Sequence, residues 1–218
     1  MILDMRILEL LTSKVCHDLV SPVGAINNGV ELIEEVGGDT VGEAMKLIAA
    51  SATQAARRLR LFRMAYGRAG SEAGLSVQDV RAIAMAHFEG SKTELTWPMD
   101  VPSHAIVERR GALKVLLNVI LMAEECLTYG GSMKVEAGSE GDPNSCRIIS
   151  SGRQITISPQ SHAAMLGELP VMEVSPRTIQ PYIAGTFARH FGLDIAWATL
   201  GEGVGQFTCS LASVPLDR

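Results

Sequence analysis

The sequence predicts two joined units, an all-α hairpin over residues 1–69 and an α/β sandwich over residues 75–218. Three observations carry that expectation. Apolar residues recur every three or four positions through residues 8–33 and again through 41–66, with only a Gly37-Gly38 break between the two runs. A Gly- and Ser-rich stretch, 67–74, follows as a linker. Beyond it, short strand-like runs alternate with helical periods, the pattern of helices laid over one mixed sheet.

The first helix is expected over 4–36, with a buried stripe of Leu8, Leu11, Val15, Leu19, Pro22, Ile26, Val30 and Ile33. It stops at Gly37-Gly38, where a left-handed C-cap costs little. Thr40 opens T-V-G-E, a capping box in which Thr40 and Glu43 satisfy orphan amides at the next helix start. Val41, Met45, Ile48, Ala52, Ala55, Leu59, Phe62 and Tyr66 then step by four and three, a heptad-like seam. So short a connection makes the helices antiparallel neighbours. Each seam is covered by one partner only, so two hairpins are expected to pair as a homodimer with a four-helix bundle.

After the linker, S-V-Q-D caps a helix running to about residue 88. A strand over 92–97 and a helix over 108–127 follow, the latter apolar all round and so expected to be buried. Strands over 132–137, 146–150 and 154–157, a helix over 178–191 and a terminal hairpin of 194–199 and 206–211 complete the reading.

The composition is that of a globular protein: 218 residues, 47% hydrophobic and 20% charged. The longest apolar stretch, 115–123, is far short of the roughly 20 residues needed to span a membrane. The N-terminus carries Asp4 and lacks the basic, apolar and small-residue sequence of a secretory signal, so a cytoplasmic location without membrane attachment is expected. A formal net charge of −5 argues against nucleic-acid binding. The charge is uneven: residues 1–70 hold eight basic and eight acidic side chains, residues 71–218 eleven against sixteen. Cys16, Cys126, Cys146 and Cys209 contain no C-x-x-C pair and read as reduced thiols. His87, His104, His162 and His190 show no ligand spacing, so no metal site is expected.

His17 is different. It lies about 200° around the helix from Val15 and therefore points to solvent. Its face carries Ser13, Lys14, Val20, Ser21, Gly24 and Asn28, small or polar residues that let a partner approach closely. An isolated surface histidine is ordinarily a solvated side chain. Here Pro22 interrupts the same helix, where a proline costs about 3 kcal/mol. Asp18 stands beside the imidazole as a proton acceptor or orienting group, which suits a nucleophile.

The string C-H-D-L-V-S-P-V-G-A-I-N-N-G-V-E-L-I-E-E, 16–35, resembles the phosphoacceptor box of two-component histidine kinases, and is more similar still to the ChpT-type histidine phosphotransferases. That resemblance implies that His17 accepts and passes on a phosphoryl group, with Asp18 as its acidic neighbour. It implies, as partners, the receiver domains of a hybrid histidine kinase and of response regulators, with Mg²⁺ supplied by the receiver.

Hairpin arithmetic adds a reading from the residues themselves. Facing residues have numbers summing to about 76, which places His17 opposite Leu59 and clusters Arg57, Arg58, Arg60 and Arg63 at its level. The cluster reads equally as a solvated basic face or as an electrostatic guide for an acidic receiver.

The second unit resembles the GHKL-type ATPase domain of histidine kinases, most clearly in G-T-F-A-R-H-F-G-L-D-I-A-W and G-V-G-Q-F-T-C-S-L. Its nucleotide motifs depart from that family. Asn118 matches the first N-box asparagine, but Met122 stands where the magnesium-binding asparagine belongs, and a thioether does not replace an oxygen ligand on Mg²⁺. Ser150 replaces the adenine-reading aspartate, and T-I-Q-P-Y-I-A-G lacks a glycine-rich lid. No tightly bound cofactor is expected, ATP included. Two other functions stay open on the sequence: an active ATP-dependent kinase, and a non-catalytic dimeric docking regulator of kinases and receivers in which His17 is idle.

Overall fold

In the computed structural model, which describes residues 4–36, 38–71, 76–100, 106, 108–138, 142 and 144–212, the two long apolar periods form α1 (Met5–Glu35) and α2 (Val41–Ala65). Asp4 caps α1 by accepting from the Arg6 amide at 2.9 Å. The helices are joined by a 3-10 turn, Gly38–Thr40, and pack antiparallel. The expected capping box does not form. Thr40 already has helical backbone angles (φ −78°, ψ −17°), and its side chain makes no cap hydrogen bond.

The seam read as one stripe is two. Pro22 and Gly29 of α1 and Ala44 and Ser51 of α2 are buried at the hairpin interface, small residues that bring the backbones together. A Cβ at Gly29 would stand 2.6 Å from Ile48 Cγ1, so the close approach depends on glycine there. Leu8 and Val30 of the expected stripe remain exposed, as do Met45 and Leu59, at 55% and 53%. These are large apolar side chains left outward on the single chain.

Past a 3-10 turn at Arg68–Ser71 come α3 (Val77–Phe88), β1 (Thr93–Thr96), α4 (Ala112–Cys126), β2 (Gly131–Ala137), β3 (Cys146–Ser151), α5 (Pro159–Leu166), α6 (Ile179–Phe191), β4 (Leu193–Gly201) and β5 (Val204–Leu211). Ser76 caps α3 by accepting from the Asp79 amide at 3.1 Å. The sheet order is β1-β2-β3-β5-β4, parallel at β1–β2 and antiparallel elsewhere. Burial alternates along the strands, and their inward residues, among them Met133, Val135, Ile148 and Phe207, share one core with α4.

Three expectations change. Helix α4 begins at Ala112 rather than 108, because Gly111 takes φ +78°, outside the helical range. The ring of Phe191 lies 2.5 Å from where its Cβ would be, so no other residue fits. Residues 154–157 join no ladder; they lead into α5, which was not foreseen because S-H-A-A-M-L has little amphipathic contrast. The expected linker, 67–74, is partly a buried 3-10 turn, with 72–75 outside the described residues.

The open end of the hairpin sits on the second unit. Ile7 packs with Val174, Ile179 and Ile183, and Arg6 donates from Nε and Nη2 to the Val174 carbonyl at 3.2 and 2.9 Å. The C-terminal carbonyls of α2, which no helical N–H reaches, are capped from α4. Asn118 Nδ2 donates to Ala65 O at 2.7 Å, and Lys114 Nζ donates to Tyr66 O and Gly67 O at 3.1 and 2.7 Å. A cation at a helix C-terminus also matches the helix dipole. Asn118 is fully buried, and its Oδ1 accepts from Gln180 Nε2, while Gln180 Oε1 accepts from the Tyr66 hydroxyl at 2.6 Å.

Removing the Asn118 side chain takes the buried Ala65 carbonyl's donor away and leaves Gln180 Nε2 with the Asn118 main-chain carbonyl alone. Asn118→Ala is expected to lower unfolding free energy by about 2 kcal/mol in urea titration.

Candidate functional site

Midway along α1, the His17 side chain is 90% exposed. Asp18 Oδ1 lies 3.4 Å from His17 Nδ1. In the tautomer that carries its proton on Nδ1 this contact is a hydrogen bond to Asp18, and Nε2 is then the ring nitrogen with a free lone pair. Val20, Ser21 and Asn28 are exposed on the turns that follow, and Gly24 has nothing within 4 Å of where a Cβ would stand. A mid-helix glycine costs up to about 1 kcal/mol relative to alanine. At Gly29 packing within the chain offsets that cost; at Gly24 nothing in the chain does.

Pro22 has no N–H to give the carbonyl four residues earlier, which belongs to Asp18. Arg58 of α2 takes that place, its Nη1 donating to Asp18 O. The residue numbers 18 and 58 sum to 76, as the hairpin register requires. Of the four clustered arginines, Arg58 is thus turned inward and half-buried, and Arg57 pairs with Glu89 just beyond α3. Arg60 and Arg63 remain exposed.

Lys14 also departs from the expected face. Its Nζ reaches across to Glu125 Oε1 of α4 at 2.7 Å and stands 3.8 Å from Asp18 Oδ2. The helical angle placed Lys14 near His17 but could not show that α4 packs there. Lys14, Asp18, Arg58, Phe62, Tyr66, His87, Leu121, Glu124 and Glu125 line a cavity of about 210 Å³ between the two units. Sequence reasoning missed Glu124 and Glu125, although two adjacent carboxylates closing an otherwise apolar helix were a readable signal.

The electrostatics of this cavity follow from its walls. Burial pushes the Glu124 carboxyl up to about 7, with Glu125 adding to the shift and Lys14 and Arg58 opposing it. Burial likewise raises Glu125 in spite of Lys14. Burial works against the Lys14 charge, but Glu125, Asp18 and Glu124 outweigh it and hold that pKa above the ordinary lysine value. His87 is lowered to about 4 by burial and by Arg58, so it is neutral at pH 7.

A carboxyl whose pKa is higher in the folded than in the unfolded chain keeps its proton longer when folded. Stability from Glu124 is therefore undiminished at low pH and is lost as pH rises from 4.5 towards 7. Glu124→Gln removes that loss. In paired thermal melts the variant's Tm should exceed that of the unmodified protein by a margin that opens between pH 5 and pH 8.

The chain is similar to known proteins over most of its length. A family model described as the histidine phosphotransferase C-terminal domain matches residues 77–203, more than half of the chain. Protein phosphotransferase ChpT of Brucella abortus (strain 2308) is 36% identical over 198 residues, covering 89% of this chain and 91% of that protein. The solved structure of a bacterial phosphotransferase superposes with a TM-score of 0.75 at 31% identity, covering 96% of this chain and 98% of that one. Matched by that family model over more than half of its length and by that relative over almost all of it, the chain belongs to the ChpT-type histidine phosphotransferases.

Proposed function

We propose that His17 is the residue through which this phosphotransferase works, taking a phosphoryl group from an aspartyl phosphate of a hybrid kinase's receiver domain and passing it to the receivers of response regulators. The observation that carries the reading is the exposed imidazole with Nδ1 tied to Asp18 and Nε2 open. In the forward step the Nε2 lone pair attacks phosphorus, the new P–N bond forms, and the acyl P–O bond breaks to release the receiver carboxylate. The Nδ1 proton stays where it is, and the positive charge that develops on the ring is met by Asp18. Little covalent machinery is needed beyond positioning and charge neutralisation, with Mg²⁺ supplied from the receiver side.

Val20, Ser21, Gly24 and Asn28 give the receiver a low surface to approach, and the exposed Arg60 and Arg63 supply positive charge at the same level of the hairpin. Arg57 and Arg58 support the site from within. The buried Asn118, committed to Ala65 and Gln180, and the buried Met122 support a relay that does not draw on ATP. The outward apolar side chains of Val30, Met45 and Leu59 support pairing of two hairpins as a homodimer. Among the described residues no helix is long and apolar enough to cross a membrane, which accords with a cytoplasmic relay.

Incubation with a phosphorylated receiver, without ATP, should place acid-labile, base-stable label on the protein, and His17→Ala should lower it at least about 100-fold. Label that survives in His17→Ala refutes the assignment. Gly24→Ala separates docking from folding: it should stabilise the fold by about 0.5–1 kcal/mol while raising the receiver concentration for half-maximal transfer severalfold.

A further inference from the structure

Asp18 is the hinge between the imidazole and the rest of the molecule. Its main-chain carbonyl is held by Arg58, and its side chain divides between His17 and Lys14, at 3.4 and 3.8 Å. Lys14 in turn is held at 2.7 Å by Glu125, a residue of the second unit. The Lys14 side chain is 19% exposed and the Glu125 side chain 38%, so the pair lies at the mouth of the cavity rather than in open solvent.

We propose that Glu125 and Lys14 are positioning residues for phosphoryl transfer, Glu125 holding the Lys14 ammonium away from Asp18 so that the Asp18 carboxylate stays on His17 Nδ1. This rests on His17 being the phosphoacceptor. Asp18 turns Oδ1 to His17 Nδ1 and Oδ2 to Lys14 Nζ, and an uncompensated ammonium that closes in from 3.8 Å turns the carboxylate off the ring, because the charge-assisted hydrogen bond is the stronger of the two. Glu125 occupies that ammonium. Were Asp18 drawn off, the ring would lose the contact that fixes its tautomer, and the charge developing during attack would lose its counter-charge.

The arrangement gives the second unit a direct part in the chemistry. Glu125 reaches Lys14 only while α4 lies against the hairpin, so the state of the junction is read at His17. The groups facing the pair are Asp18 on α1, Arg58 on α2, Tyr66 just beyond α2, His87 on α3 and Glu124 on α4. Glu124 lines the same cavity as the ammonium, and its negative charge, like that of Glu125, favours the charged Lys14.

The test is a double-mutant cycle on the full chain with a saturating phosphorylated receiver. Glu125→Gln frees Lys14 to capture Asp18, so single-turnover transfer should slow about tenfold, with the receiver concentration for half-maximal rate unchanged. Adding Lys14→Met removes the competitor, so the double variant should return to within about threefold of the original rate. Imidazole ¹⁵N shifts of His17 should report the same pattern: the Nδ1–H tautomer depleted in Glu125→Gln and recovered in the double variant. A double variant as slow as Glu125→Gln, or a slow Glu125→Gln with unchanged ¹⁵N shifts, would make the pair a mere tether between units and overturn the proposal. No slowing in Glu125→Gln overturns it equally. If His17→Ala still carries label under these conditions, the phosphoacceptor assignment fails instead, a result the cycle does not imitate.

Discussion

The fully buried amide of Asn118 joins the two units, and much of the molecule's geometry follows from where it is spent. Its Nδ2 donates to the end of α2 and its Oδ1 accepts from α6, so three helices meet at one side chain. A helix end buried at an interface must have its last carbonyls capped, and Lys114 completes that cap with charge as well as hydrogen bonds. Once α4 is anchored there, its other end comes alongside α1 and delivers Glu124 and Glu125 to Lys14. The sequence resemblance sets Asn118 at the first asparagine of a nucleotide motif. Here that position is part of the structural joint.

A second constraint acts within α1. Pro22 leaves the Asp18 carbonyl without its helical partner, and the guanidinium of Arg58 fills the gap from the neighbouring helix. The defect therefore does not loosen the helix at His17; it ties that turn to α2. Asp18 is fixed through its main-chain carbonyl by Arg58, with its carboxylate beside an imidazole that stays open to solvent. For the proposed role, a histidine that takes up a phosphoryl group from a partner has to be accessible, and one that attacks phosphorus in line has to be oriented.

Much of this was legible in the sequence. The hairpin follows from spacing and from a glycine break, and the register sum of 76 is met by the Asp18–Arg58 contact. The outward placing of His17 needed only the helical angle. What a one-dimensional reading could not supply was which third element packs against a given face. Lys14 shares the sector of His17 on a helical wheel, yet its long side chain is captured by Glu125, 111 residues away in sequence. Arg57 and Arg58 read as a solvated face until α3 and the free carbonyl of Asp18 are in place. The start of α4 was misplaced because a left-handed Gly111, pressed by the Phe191 ring, overrides the helical propensity of the residues before it. Of the apolar periods in α1 and α2, Pro22 and Phe62 are buried while Leu8, Val30, Met45 and Leu59 face outward, and the small residues Gly29, Ala44 and Ser51 close the hairpin.

The most direct test of the account is to locate the transferred phosphorus. After transfer from a phosphorylated receiver to protein carrying ¹⁵N-histidine, a ³¹P–¹⁵N correlation spectrum should show one phosphoramidate, bonded to Nε2 of His17, with Nδ1 still protonated. Phosphorus on Nδ1, on another histidine, or on no nitrogen at all would contradict the role assigned here to His17 and Asp18.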